Sequence, residues 1–194
     1  MKISHLEVRL PSSYMKAKKS LGQHFLKSEK ALHAIVKAGD VGAKDTILEI
    51  GPGTGALTTR LLETGTRVIA VEKDYELFEL LKLKFEKEIK DGKLELIHDD
   101  ILEFDLAKLT AGTYKLVANI PYNITGAILK KFLETDYQPE RMVLLMQKEV
   151  AKRIVAQDIK ESILSLSVKA YGLPRYIETV KAGSFAPAPK VDSD

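Results

Sequence analysis

Asn119-Ile120-Pro121-Tyr122 puts a side-chain amide, a rigid proline ring and a phenol within four residues. The segment follows a short apolar run, Leu116-Val117-Ala118, which reads as the end of a buried strand. Strand ends are where an open α/β sheet places its ligand chemistry. There the Asn119 amide and a backbone carbonyl can accept hydrogen bonds from an amine, and the Tyr122 ring can stack on a planar base. Taken alone, the same residues are more simply a strand, a turn and a buried tyrosine.

A second segment bears on that choice. Thr46-Ile47-Leu48-Glu49-Ile50 reads as a strand and runs directly into Gly51-Pro52-Gly53-Thr54-Gly55, after which Ala56 opens a helical pattern. A glycine loop between strand and helix lets backbone approach a nucleotide-like ligand closely. Gly51-x-Gly53-x-Gly55 resembles the loop of S-adenosylmethionine enzymes, and Gly51-x-Gly53-x-x-Ala56 also satisfies the looser dinucleotide fingerprint. Glu72 ends the next strand, where an acid can accept from both ribose hydroxyls of either cofactor. Asp100 ends the third strand and can accept from an adenine amine; Asp99 beside it leaves a turn or cap role open for both. No lysine follows the loop in the manner of a P-loop, which disfavours an ATPase.

Asn-Ile-Pro-Tyr decides between the cofactors. A dehydrogenase has no need of it, whereas an enzyme methylating a base amine does. The adenine amine is a poor nucleophile because its lone pair is delocalised into the ring. Acceptors at Asn119 and at the Ile120 or Pro121 carbonyl bias it toward a tetrahedral geometry. Tyr122 stacking on the base is worth roughly 1–3 kcal/mol in single-stranded recognition. The target amine must be unpaired or flipped out of its stack.

Composition narrows the class further. A chain of 194 residues that is 45% hydrophobic fills one domain with a full core. Cysteine is absent, which removes disulfides and thiolate chemistry and fits a reducing, cytoplasmic setting. The four histidines, at 5, 24, 33 and 98, show no metal-ligand spacing, so no metal is expected. No apolar stretch reaches the roughly 20 residues that span a bilayer, and no signal-peptide core opens the chain. Net charge is +3, but residues 1–30 carry seven basic against two acidic side chains. Lys16, Lys18 and Lys19 beside Arg9 either contact phosphates or form a solvated tail.

The elements that must position these residues follow from periodicity. Residues 1–19 read as an extended basic arm. Helices are predicted over Leu26–Ala38 with Ser28 as N-cap, Ala56–Glu63, residues 75–90, Ile124–Leu133, Glu149–Ala156 and Ser162–Tyr171. Strands are predicted at Thr46–Ile50, Arg67–Val71, Leu94–Ile97, Lys115–Ala118, Met142–Met146 and Tyr176–Val180. This alternation defines an α/β fold, a mostly parallel sheet with helices on both faces.

Several segments together resemble one family, the KsgA-type ribosomal RNA adenine dimethyltransferases. They are Lys19-Ser20-Leu21-Gly22-Gln23-His24-Phe25-Leu26, Glu49-Ile50-Gly51-Pro52-Gly53-Thr54-Gly55 and Val71-Glu72-Lys73-Asp74. Asn119-Ile120-Pro121-Tyr122-Asn123-Ile124, Met146-Gln147-Lys148-Glu149-Val150-Ala151 and Phe185-Ala186-Pro187-Ala188-Pro189-Lys190-Val191 complete the set, in family order. The glycine loop is common to many methyltransferases; the Gln-His-Phe-Leu, Asn-Ile-Pro-Tyr-Asn-Ile and Gln-Lys-Glu-Val-Ala segments are far more specific.

The resemblance implies a Rossmann-like class I methyltransferase fold over residues 20–194, with S-adenosyl-L-methionine as cofactor. His24 and Leu26 would line its pocket, with Gly51 at the methionine part, Glu72 at the ribose and Asp100 at the adenine, and Gly53 and Gly55 of the same loop would also bind the cofactor. Asn119 would touch both cofactor and target amine, held beside Pro121. Tyr122 would stack on the target adenine, and Phe185 would close its other face or serve as a hydrophobic plug. Family members methylate two adjacent adenosines near the 3′ end of small-subunit rRNA, within a partly assembled subunit; a monomer is expected here.

Two departures stand out. Lys73 occupies a place where the family usually has an apolar residue. Family members also continue past Lys190-Val191-Asp192-Ser193 through a strand into a small helical domain that contributes to RNA binding. This chain lacks nearly all of both, so the last antiparallel strand is expected to be truncated. Three alternatives are a large-subunit rRNA adenine methyltransferase of the antibiotic-resistance type, a non-catalytic RNA-binding assembly factor of the same fold, and an NAD dehydrogenase.

Overall fold

The computed structural model describes residue 18 and residues 23–109, 112–156, 161–189 and 193. The expected arm over 1–19 lies outside the described residues apart from Lys18, as do residues 19–22 and 190–192 of the family-like segments.

Five strands form the sheet: β2 (Thr46–Ile50), β3 (Arg67–Glu72), β4 (Leu94–His98), β5 (Lys115–Asn119) and β6 (Arg141–Leu145), in the order β4-β3-β2-β5-β6. A separate two-residue strand β1 (Phe25–Leu26) pairs antiparallel with β7 (Phe185–Ala186). Every pair within the five-stranded sheet is parallel, with Ile47 opposite Val68 on one side of β2 and opposite Lys115 on the other. Successive side chains of a strand point to opposite faces, and the two cores record it. Ile47, Val68, Ala70 and Val117 pack on one face with Leu61, Leu81 and Phe85. Leu48, Ile50, Ile69, Val71, Leu116 and Ala118 pack on the other with Phe104, Ile128 and Phe132. Strands buried on both faces are the near-continuous apolar runs seen in the sequence.

The helices are α1 (Glu29–Gly39), α2 (Ala56–Glu63), α3 (Tyr75–Lys84), α4 (Glu86–Lys90), α5 (Thr125–Leu133), α6 (Lys148–Val155) and α7 (Ile163–Lys169). Ser28 caps α1 through its side chain, which accepts from Ala31 N at 3.3 Å. Asp74 caps α3 in the same way at Glu76 N, and Ser162 closes a capping box with Ser165 on α7.

Three predicted elements differ. The helix expected from Leu26 starts at Glu29, because Phe25 and Leu26 are extended and paired with β7. The helix expected over 75–90 breaks at Phe85, whose backbone (φ −112°, ψ 27°) leaves the helical region while its ring enters the core. The strand expected over Tyr176–Val180 does not form. Among the described residues only Val180 is bridged there, to Ser193, and a strand needs a neighbour that exchanges bonds along its length. Ser193 is bridged antiparallel to Gln147 as well, at the edge beyond β6.

Gly55 sets how closely the glycine loop approaches α3. Its φ is +76°, and a Cβ there would sit 2.5 Å from the Phe85 ring and 2.9 Å from Leu81. Left-handed backbone costs a residue with a Cβ roughly 1–2 kcal/mol, and overpacking adds typically 1–3 kcal/mol. Gly55→Ala is expected to lower unfolding free energy in urea by about 2–5 kcal/mol. A variant within about 0.5 kcal/mol of the parent would show that the loop and Phe85 can part without cost.

Candidate active site

A cavity of about 180 Å³ opens at the carboxyl ends of β2, β3, β4 and β5, several times the volume a single water occupies. Its walls bring together His24, Leu26, Gly51, Gly53, Glu72, Asp100, Asn119, Pro121 and Tyr122. Residues separated by nearly a hundred positions meet because parallel strands all deliver their ends to one edge.

The glycine loop forms the floor. Gly51 N donates to Val71 O at 2.9 Å, and Gly51 has φ +59° with nothing within 4 Å of where a Cβ would stand. That open space is where a ligand can reach the backbone. Gly53 N donates to Glu72 Oε2 at 3.1 Å, and Asp74 N donates to Glu72 Oε1 at 2.8 Å. Glu72 is 5% exposed. Burial pushes its pKa up, and the backbone donors of Asp74 and Gly53 partly offset that. Each oxygen keeps a lone pair for a further donor. Gly55 is not on the wall; it lies under the Phe85 ring, which packs against it.

Another carboxylate, Asp100, lines the cavity beyond the ends of β3 and β4. Asp100 Oδ2 accepts from Lys73 Nζ at 2.6 Å, and Oδ1 accepts from Leu102 N at 3.0 Å. Burial would raise the Asp100 pKa, but Lys73 and the Leu102 N–H hold it below the usual carboxylate range.

The opposite end is organised around Asn119. Its Nδ2 donates to the His24 carbonyl at 3.0 Å. A carbonyl can only accept, so the amide nitrogen faces His24 and Oδ1 is left as an acceptor. His24 Nδ1 donates to the Pro187 carbonyl at 2.9 Å, and the imidazole stacks on Tyr122 with centroids 5.6 Å apart. Pro121 (φ −61°) starts the 3-10 turn Tyr122–Ile124, and the Tyr122 hydroxyl hydrogen-bonds the Ser193 hydroxyl. Burial raises the Tyr122 pKa, so the phenol is neutral.

Of the two places expected for Phe185, against the target base or as a hydrophobic plug, the structure sets its ring in the core. It is 4% exposed, packs in the core with Leu26 as its ladder neighbour in β1, and does not line the cavity. The β1–β7 pair turns its ring inward.

Several site groups escaped the sequence reading. Glu49 is 1% exposed and accepts from Thr58 Oγ1 at 2.7 Å; burial, with Glu72 nearby, pushes its pKa up to about 8. Its one signal was an acid inside an apolar strand. Lys84 Nζ donates to the carbonyls of Thr54 and Gly55 at 2.8 and 3.3 Å, tying α3 to the loop. Asp74 accepts from Lys18 Nζ at 2.8 Å and Gln23 Nε2 at 2.9 Å, which fastens both side chains at the start of α3. Among the described residues, no group of three His, Asp or Glu side chains is arranged to hold a metal, and no helix is long and apolar enough to cross a membrane.

The strand order and the glycine loop below a cavity at the strand ends define a Rossmann-like class I methyltransferase fold. Residues 14–194 match the family described as ribosomal RNA adenine dimethylase. The chain belongs to that family. It is 47% identical over 181 residues to ribosomal RNA small subunit methyltransferase A of Dehalococcoides mccartyi, covering 92% of this chain and 61% of that protein. A dimethyladenosine transferase from Plasmodium falciparum superposes with a TM-score of 0.74 at 31% identity, over 88% of this chain and 61% of the other. The 23S rRNA methyltransferase ErmE superposes with a TM-score of 0.73 at 27% identity, over 87% and 66%. The chain therefore spans about three-fifths of the length of the Dehalococcoides relative.

Glu49 makes a pH prediction. Its folded pKa of about 8 exceeds the 4.5 of a free glutamate, so the folded state binds its proton more tightly than the unfolded state. The stability it contributes is complete below the unfolded value and is lost as pH rises through the folded one. Melting temperatures taken from about pH 5 to about pH 8 should fall more for the wild type than for Glu49→Gln. Parallel curves would show that Glu49 is ionised in the folded protein.

Proposed function

We propose that this chain is the S-adenosylmethionine-binding, catalytic part of an rRNA adenine dimethyltransferase. Its targets are the N6 amines of two adjacent adenosines near the 3′ end of small-subunit rRNA, in a partly assembled subunit. The observation that carries the reading is the fixed Asn119 amide. Held at its nitrogen by His24, it offers Oδ1 to an incoming amine at the edge of the same cavity that contains the glycine loop.

The residues present fit the cofactor. Gly51 leaves room for close approach, Glu72 is a buried two-oxygen acceptor suited to a ribose diol, and Asp100 is an ionised acceptor at the base end. When bound, S-adenosylmethionine supplies an electrophilic methyl group on a sulfonium centre. The chain's own residues prepare the nucleophile. The Pro121 carbonyl already accepts from Ile124 N at 3.3 Å, which makes the Ile120 carbonyl the better second acceptor beside Asn119. Two acceptors drawing the amine protons out of the ring plane restore its lone pair. Tyr122, stiffened by His24 and Ser193, offers a flat face for the target base. Lys152 and Arg153 stand exposed on α6, where they can meet phosphates.

The small-subunit target rests on the 47% identical relative, against 27% for the large-subunit enzyme ErmE. Labelled methyl groups should enter RNA of small subunits that lack the modification. Asn119→Ala should keep the fold and reduce transfer by roughly 10²–10³-fold, the usual loss for one preorganised hydrogen-bonding group at a reacting centre. Label in large-subunit RNA alone would favour the antibiotic-resistance type. Tight S-adenosylmethionine binding without label in any RNA would favour the assembly factor.

A further inference from the structure

Among the described residues that line the cavity, Lys73 is the only lysine or arginine; the acids are Glu49, Glu72, Asp99 and Asp100. Its position follows from the ladder. Glu72 of β3 pairs with His98 of β4, so the chain leaves both strands side by side and sets Lys73 against Asp100. His98 Nε2 donates to the Lys73 carbonyl at 3.2 Å, and the His98 ring packs on Tyr75 and Phe78, which fixes the Lys73 main chain. Both Asp100 oxygens then have a donor before any base arrives: Lys73 Nζ on Oδ2 and Leu102 N on Oδ1. The Lys73 side chain is 59% exposed and that of Asp100 25%, so the ammonium can leave the carboxylate and remain hydrated.

A purine 6-amino group is a donor and competes with this ammonium for Asp100. A 6-oxo group is an acceptor, which a bare carboxylate repels and an ammonium satisfies. We propose that Lys73 is a specificity-determining residue at the base end of the cleft, where it weakens the preference for adenine over hypoxanthine by competing for Asp100 and offering its own donor to a 6-oxo purine. The inference rests on the cofactor reading given above.

Calorimetric titration of the wild type and of Lys73→Met, which keeps an apolar stem without the charge, tests it with S-adenosylhomocysteine and its inosine counterpart. A half-exposed ion pair is weak, so the variant should bind S-adenosylhomocysteine about 1.5- to 5-fold more tightly. It should bind the inosine ligand less tightly, raising the adenine-to-hypoxanthine ratio by at least about twofold. Higher salt should narrow the gap between the two proteins, because it screens the pair. Lys73→Leu serves as a second variant, with melting curves confirming that both are folded. Unchanged or weaker S-adenosylhomocysteine binding by the folded variants, or an unmoved ratio, overturns the role of Lys73 alone. A folded wild type that binds neither ligand overturns the cofactor reading and this inference with it.

Discussion

Glu72 sits buried at the end of β3 and holds two loops to one point. One oxygen takes the Gly53 N–H of the glycine loop, the other takes the Asp74 N–H at the start of α3. Asp74 in turn caps α3 and accepts from Lys18 and Gln23. The glycine loop, the start of α3 and these two side chains are thereby referred to a single carboxylate. A buried charge with so many fixed donors is costly to move, which makes it a rigid origin for the site.

The acids gathered here show how a polar cavity survives inside an apolar sheet. Glu49, Glu72 and Asp74 are all buried, and each is satisfied differently. Glu49 takes the Thr58 hydroxyl and holds its proton; Glu72 relies on backbone donors; Asp74 gains a lysine and an amide. Lys84 adds a cation that binds loop carbonyls, with Glu49 close enough to favour its charge. The result is a row of acceptors around one cleft, in which Glu72 and Asp74 still repel each other and Glu72 raises the Glu49 pKa.

The far end of the cleft is built from pieces remote in sequence. Asn119 closes on the His24 carbonyl, His24 on the Pro187 carbonyl and the Tyr122 ring, and Tyr122 on Ser193. Four segments thus fix the amide and the ring together. Preorganisation of this kind spares a site from ordering its groups when a ligand arrives.

Local pattern alone determined the regular elements: β2 and α2 fall where strand alternation and the glycine loop place them, and Ser28 and Ser162 cap the helices they were expected to cap or begin. That Gly51, Glu72, Asp100, Asn119 and Tyr122 share one cavity wall follows from the same pattern, since strand ends are local features and parallel strands share an edge. Tertiary packing decided the rest. The Phe85 ring entered the core and broke one helix into two. The β1–β7 pairing set Phe185 in the core, and among the described residues over 176–180 only Val180 is bridged, to Ser193. The Lys73–Asp100 and Asp74–Gln23 contacts span 27 and 51 residues, and no short-range pattern encodes a pair that only the folded sheet brings within hydrogen-bonding distance.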